Sequence, residues 1–130
     1  MINSASMAVV CESRLTSVNM AGADESHGLG FTLFVEADMM DPDAPTNVVA
    51  AAAERFGEVH GVVNVAAQTS RATLFADTPD HFDRHMTVNV KGPYFLIQAA
   101  ARLMVKTGSG GSIVNIGSTS SHGGQPKLTS

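Results

Sequence analysis

Several residue types are scarce in this sequence of 130 residues, and each shortage excludes a class of protein. Cys11 is the only cysteine, so no intrachain disulfide can form and nothing indicates an oxidising compartment. Eight lysines and arginines stand against twelve acidic residues, which gives a formal net charge of −4. This balance provides no basic surface for nucleic acid or for an anionic membrane.

Long apolar runs are missing as well. No segment approaches the roughly 18 consecutive apolar residues of a transmembrane helix. The first ten residues lack the cationic region of a secretory signal. We therefore expect a cytoplasmic protein with no membrane partner.

The remaining composition is that of a folded domain. Hydrophobic residues make up 44% of the chain and charged residues 15%, which is enough apolar material for a packed core. The length fits one domain at most. We predict a single, partial domain over residues 1–130, in which residues 1–30 are the least readable because glycines interrupt any pattern.

Short apolar runs alternate with helix-start signals along the chain. Proline followed by acidic residues opens each of two helices, since proline suits the first helical turn and acids suit its dipole. In chain order, the predicted elements are strands at residues 7–11 and 31–35, a helix at 41–57, a strand at 58–67, a helix at 78–106 and a strand at 113–116. Alternation at this spacing predicts a three-layer α/β fold with a parallel sheet.

The second predicted helix carries an apolar stripe that continues to about Lys106, as is typical of an amphipathic helix. The stripe consists of Phe82, Met86, Val90, Tyr94, Ile97, Ala101 and Met104.

Polar side chains follow three of the predicted strands. Asp38, Asn64 and Ser118 each come just after an apolar run. Because the carboxyl ends of parallel strands meet at one edge of a sheet, we expect these three residues to line a single crevice. Ser118 also has a simpler interpretation, as a residue that caps or turns the chain after its strand.

Asn89 lies four residues before Pro93 on the second helix. Proline has no N–H, so the carbonyl of Asn89 loses its helical partner, and a kink is expected there. Such a carbonyl needs a water, a ligand or another donor.

These segments, in this order and at these spacings, resemble the short-chain dehydrogenase/reductase family. That family has a Rossmann-type fold and uses NAD or NADP. The similarity runs from about Phe31 to Ser130. The residues that carry it are Asp38 with the adjoining Met39, Asn64-Val65-Ala66-Ala67, Asn89 and Ser118.

The resemblance implies a role for each of these residues. Asp38 and Met39 would bind the adenine end of the cofactor. Residues 64–67 would also bind the cofactor, with their backbone close to it. Asn89 would hold a relay water on its backbone carbonyl, and Ser118 would hydrogen-bond the substrate oxygen. The implied reaction is hydride transfer between the nicotinamide and a secondary alcohol or ketone.

The sequence departs from the family pattern at three places. Ala67 stands where the family has the last glycine of N-N-A-G. The phosphate-binding loop T-G-x3-G-x-G has no counterpart in residues 1–30. The Y-x3-K pair is also missing, and the only tyrosine, Tyr94, lies on another helix. We therefore expect a chain truncated at both ends and inactive as it stands.

The missing glycine loop leaves the start of the fold open to two interpretations. Residues 7–11 could be the second strand of the Rossmann order or could occupy the central first position. In the former register Glu12 would bind the ribose hydroxyls of NAD, whereas Arg14 would equally favour the phosphate of NADP. The incomplete sheet would expose edges, and by resemblance the long helix would pair in a homo-oligomer.

Other functions fit the residues less well. A flavodoxin-like receiver module is the alternative of similar length, but its middle strand would end in Asn64 rather than in a phosphorylatable aspartate. The hydrolase elbow G-x-S-x-G is absent around Ser118. His81 and His85 lie four apart on the second helix, and we interpret them as a solvated helix face without a metal.

Overall fold

The computed structural model describes Leu33 and residues 35–123. The described elements are α1 (Ala44–Phe56), β1 (Gly61–Asn64), α2 (Pro79–Met86), a π-helical turn (Thr87–Lys91), α3 (Gly92–Thr107), β2 (Ser112–Asn115) and a 3-10 turn (Thr119–His122). The strand predicted at residues 7–11, with Glu12 and Arg14, lies outside the described residues.

Helix α1 begins and ends where the sequence signals predicted. The turn before it is held by Asp41, whose side chain accepts a hydrogen bond from the Asp43 amide at 3.0 Å. Pro45 occupies the first helical turn, where its missing N–H costs nothing. Gly57 ends the helix with φ of +87° and donates its N–H to Ala53 at 2.8 Å.

Strands β1 and β2 form a parallel pair, as predicted. Their register joins Gly61 to Ser112 and Asn64 to Asn115. Each strand has four residues, so the prediction of a strand over residues 58–67 was too long. The strand predicted at residues 31–35 is not seen at Leu33 or Val35, which have irregular backbone. The other three positions of that prediction lie outside the described residues.

One face of this strand pair is covered and the other is open. Val62 is 3% exposed beneath the helices, whereas its neighbour Val63 is 53% exposed. Because the run Val62-Val63-Asn64-Val65 is apolar on both faces, the sequence predicts a parallel strand that is covered on both sides. The described residues cover only one.

Helices α1 and α3 pack together over the covered face. The core that they form with β1 consists of Met39, Val48, Val49, Ala52, Val59, Val62, Val88, Leu96, Ala100 and Met104. Close approach matters at Gly111, where a Cβ would lie 2.7 Å from the His60 carbonyl oxygen and from the Met104 side chain. Only glycine fits this position without a shift of its neighbours.

The apolar stripe of the second helix is buried only in part, since Met104 at its end is 6% exposed. Phe82, Met86, Val90 and Tyr94 are 42–61% exposed, and we call these four residues the exposed stripe. The buried positions of α3 include Leu96, Ala100 and Met104. The stretch is apolar on two sides, and periodicity alone does not tell which side meets the sheet.

None of the described helices is both long and apolar enough to cross a bilayer.

Candidate active site

A cleft of about 660 Å³ opens at the carboxyl ends of β1 and β2. Three segments form its walls: the residues after β1, the helical residues from Asn89 to Ile97, and the residues from Asn115 to Ser120. In open parallel sheets ligands bind at this edge. We call this space the carboxyl-edge cleft.

Asn64 and Asn115 face each other at the base of the cleft, because they are register partners in the two strands. The Asn64 amide nitrogen donates to the Asn115 side-chain oxygen at 3.2 Å. Asn64 is 5% exposed, and its own side-chain oxygen is buried with no hydrogen-bond partner in the described structure. A buried acceptor of this kind is costly unless a ligand or water supplies a donor.

Asn89 ties the helical wall to the segment after β1. Its side-chain oxygen accepts the Gln68 N–H at 2.7 Å, and its side-chain nitrogen donates to the Gln68 carbonyl at 3.0 Å. Both backbone polar groups of Gln68 are therefore satisfied by one side chain. This two-point contact fixes the cleft wall formed by residues 66–69.

The helical hydrogen-bond pattern changes around Asn89, as Pro93 predicted. The Gly92 N–H donates to Thr87, five residues back, which gives a π-helical turn. Such turns are rare and are frequent at functional sites. Pro93 lies in the first turn of α3 and lines the cleft beside Asn89.

Ser118 lies on the opposite wall in an extended conformation. Its hydroxyl accepts the Ser120 N–H at 3.2 Å and lies 2.8 Å from the Ser120 hydroxyl. Ser118 thus caps the 3-10 turn and also lines the cleft, so the two interpretations of this serine hold together. Ser120 fixes the position of its oxygen.

Of the remaining predicted site residues, some line the carboxyl-edge cleft and others do not. Ala66 and Ala67 line the cleft with Asn64. Val65 is 62% exposed and does not line it.

Asp38 and Met39 are not among the residues that line the cleft. Asp38 accepts the Met40 N–H on its carboxylate at 2.9 Å, which makes it a turn residue in this structure. Met39 is 2% exposed, so its side chain belongs to the core. Contact of Met39 with a ligand would therefore have to come from its backbone.

The sequence analysis did not assign several cleft residues to the site, among them Gln68, Tyr94, Asn115 and Ser120. Asn115 could have been found, because it ends its strand as Asn64 does. Tyr94 could not, because its position depends on which face of the helix meets the sheet.

The interpretation of His81 and His85 as a solvated helix face was wrong for His85. His85 is 3% exposed, with Nδ1 3.0 Å from the His81 carbonyl oxygen and Nε2 3.0 Å from the Ser70 carbonyl oxygen. The segment after β1 folds back over this helix and covers the ring. Local sequence carries no signal for such a long-range contact.

A parallel strand pair packed under helices, with a polar cleft at the carboxyl edge, defines a Rossmann-type α/β architecture. The chain belongs to the short-chain dehydrogenase family, whose sequence model matches residues 3–130.

Curated relatives agree with this membership. The chain is 42% identical over 87 residues to an L-rhamnose 1-dehydrogenase (NAD(P)(+)) of Sphingomonas sp., which covers 66% of this chain and 34% of the relative. It is 33% identical over 91 residues to a sorbitol dehydrogenase of Cereibacter sphaeroides, covering 70% and 36%. The chain thus spans a little over a third of the length of the relatives it matches.

Solved structures show the same fold. A short-chain dehydrogenase/reductase of Serratia marcescens superposes with a TM-score of 0.67 at 32% identity, over 75% of this chain and 38% of that one. The NADP-bound structure of ElxO superposes with a TM-score of 0.65 at 27% identity, over 73% and 38%. These matches set aside the receiver module as an alternative.

Proposed function

We propose that this chain forms part of an NAD(P)-dependent oxidoreductase that transfers hydride between the nicotinamide and an alcohol or ketone. The observation that carries the proposal is the meeting of Asn64, Asn89 and Ser118 on one cleft at the carboxyl edge. Sequence separation alone would not bring them together. Dehydrogenases of this family use NAD or NADP, and the cofactor supplies the hydride acceptor or donor.

The residues of the cleft fit the nicotinamide end of such a cofactor. The unpartnered oxygen of Asn64 offers an acceptor to a ligand N–H or O–H. Ala67 lines the same wall, and its methyl group is accommodated in an exposed position. The phosphate end has no glycine loop in residues 1–30 to receive it, so we propose that binding by this chain alone is weak.

Each polar residue then has a chemical task in the cleft. Ser118 hydrogen-bonds the reacting oxygen of the substrate, and Ser120 holds the serine oxygen at a fixed place. Asn89 fixes the wall at Gln68 with its side chain, while its backbone carbonyl, four residues before Pro93, is available to a water. The Y-x3-K pair that would move the proton is absent from the sequence.

Polyols and sugars are the substrate class that we propose. The relatives named above are dehydrogenases of L-rhamnose and sorbitol, and another is named galactitol 2-dehydrogenase. The cleft is lined by several amide and hydroxyl side chains, among them Gln68, Thr69, Asn115 and Ser120. Such groups pair with the hydroxyls of a polyol.

A chimera tests this function. Residues 35–123 would replace the matching segment of the Sphingomonas L-rhamnose 1-dehydrogenase, which would supply the missing loop and the Y-x3-K pair. We expect the chimera to reduce NAD(P) with L-rhamnose, followed at 340 nm. Ser118→Ala in the chimera should lower kcat/KM about 100-fold, because one donor to the reacting oxygen is lost.

The matched control is Ser109→Ala, in the turn between α3 and β2 and away from the cleft. It should leave kcat/KM of the chimera unchanged. A folded chimera that binds NAD(P) but does not turn over, or one in which both serine variants behave alike, would contradict the proposal. The unmodified chain is expected to show no turnover in the same assay.

We also propose that the chain self-associates. Phe82 and Met86, the two residues of the exposed stripe that do not line the carboxyl-edge cleft, are 49% and 42% exposed. They lie four residues apart and therefore on the same side of α2, and exposed apolar side chains that are neighbours in this way are typical of an interaction site. Family resemblance assigns this helix to the contact between subunits, and the exposed stripe supports that assignment.

A further inference from the structure

Three side chains outside the carboxyl-edge cleft form a hydrogen-bonded chain that the proposed function does not use. The Ser70 hydroxyl oxygen lies 2.9 Å from Nε2 of His81. On the other side of the ring, Nδ1 of His81 lies 2.6 Å from the Asp77 carboxylate. Ser70 belongs to the segment after β1, Asp77 precedes α2, and His81 lies on α2.

The carboxylate decides where the protons lie. An ionised carboxylate only accepts hydrogen bonds, so Nδ1 of His81 carries the proton that faces Asp77. In the neutral imidazole Nε2 is then the acceptor, and the hydroxyl of Ser70 donates to it. This is the connection of atoms by which a histidine acts as general base toward a serine.

Each end of this chain is held in place. Asp77 also accepts the Thr78 N–H at 2.9 Å, which orients the carboxylate. The buried ring of His85 lies against the His81 ring, with centroids 4.3 Å apart, and contacts the Ser70 carbonyl. The side chains of His81 and Asp77 are 22% and 16% exposed.

Ser70 itself is exposed, so an external reagent can reach its hydroxyl. A serine that is bonded to a held, partly buried histidine and is still open to solvent combines the two properties that a nucleophile needs. We propose that Ser70 is an activated nucleophile toward small activated esters and fluorophosphonates, with His81 as its base and Asp77 as a positioning residue.

The step balances within these groups. The Ser70 oxygen attacks the acyl carbon, and its proton passes to Nε2 of His81. The bond from the acyl carbon to the ester oxygen breaks, and the departing alcohol takes that proton. A water oxygen then bonds the acyl carbon while its proton passes to Nε2 of His81. The bond from the acyl carbon to the Ser70 oxygen breaks, His81 returns that proton to the serine oxygen, and the carboxylic acid leaves. With a fluorophosphonate the phosphorus–oxygen bond forms, fluoride leaves with the proton, and the adduct remains.

Labelling of the full chain with a fluorophosphonate, followed by peptide mass spectrometry, tests the proposal. Ser109 is the internal reference, since its hydroxyl contacts Thr107 and the Gly110 carbonyl rather than a histidine. We expect an adduct at Ser70 to form at least about 100-fold faster than at Ser109. This factor is the lower end of the rate enhancement that a positioned general base provides. His81→Gln and Asp77→Asn should each slow labelling, the former more.

If the Ser70–His81–Asp77 contacts only hold the segment after β1 against α2, the labelling experiment should give a different result. The unmodified chain would then label Ser70 no faster than Ser109, and His81→Gln would lower the thermal midpoint without changing the Ser70 rate; this result would overturn the proposal. Where His81→Gln unfolds, as circular dichroism would show, Ser70→Cys serves instead. Its alkylation by iodoacetamide should be about 10-fold faster than that of Ser109→Cys if His81 acts as the base, and equal rates would overturn it.

Discussion

The long helical stretch presents two apolar faces with opposite surroundings. Leu96 and Ala100 are 0% exposed where α3 packs against α1 and β1. The exposed stripe, which runs from Phe82 to Tyr94, consists of side chains that are just as apolar but are in contact with solvent. The difference shows that apolar character alone does not define the core. The buried face holds the described fold together, and the exposed stripe is available to another surface.

The largest effect is expected on the buried face. Leu96→Ala should lower the free energy of unfolding by about 3 kcal/mol, because it leaves a cavity between α3 and its neighbours. Val105→Ala on the same helix should cost less than about 0.5 kcal/mol, since Val105 is 83% exposed. Urea unfolding followed by circular dichroism measures both. Equal losses would mean that the two faces do not differ in packing.

A smaller loss is expected at Gly111, where the chain passes Met104 on the buried face. Gly111→Ala should cost about 1–3 kcal/mol by overpacking, because its Cβ would lie 2.7 Å from the His60 carbonyl oxygen. Gly61→Ala is the control, since a Cβ there meets nothing within 4 Å. If both variants unfold at the same urea concentration, the close approach at Gly111 is not real.

Asn89 joins the same helical stretch to the segment after β1 through its contact with Gln68. Asn89→Ala should cost about 1–2 kcal/mol, because both backbone groups of Gln68 lose their partner. Hydrogen exchange of the Gln68 amide should become faster while that of Leu96 changes less. Protection of Gln68 that survives the substitution would contradict the two-point contact.

The smallest change in stability is expected on the exposed stripe. Phe82→Glu with Met86→Glu should change the free energy of unfolding by less than about 0.5 kcal/mol per site, since these side chains are 49% and 42% exposed and do not line the carboxyl-edge cleft. Light scattering should nevertheless show less self-association, because charges would be placed on the apolar surface. If self-association is unchanged in this variant, the exposed stripe is not the contact between subunits.

Much of the fold could be predicted from local signals. Pro45 and Gly57 marked the ends of α1, and the apolar runs gave β1 and β2 as parallel strands. The limits of β1 were overestimated, because Val59 and Val65 look like strand residues but lie outside the pairing of Gly61–Asn64 with Ser112–Asn115. The apolar stripe indicated the buried face of the long helix only in part, because Met104 belongs to the stripe whereas Leu96 and Ala100 do not.

The candidate site was predictable to the extent that strand ends determine it. Asn64 and Ser118 follow their strands directly, and the parallel order brings them to one edge. Asn89 was found through Pro93, a local signal. The contacts of Ser70 and His85 join segments that are 11 to 15 residues apart through an irregular stretch, and no periodicity describes such a stretch.

The π-helical turn from Thr87 to Lys91 has a consequence for how this helix tolerates change in length. Each residue of an α-helix advances the chain by about 100° around the axis. The turn holds one residue more than an α-helical turn, because the Gly92 N–H reaches back five residues to Thr87 rather than four. Deleting one residue there would restore the α-helical pattern and keep α2 and α3 in phase, whereas the same deletion in α3 before Leu96 would turn Leu96 away from the core by about 100°.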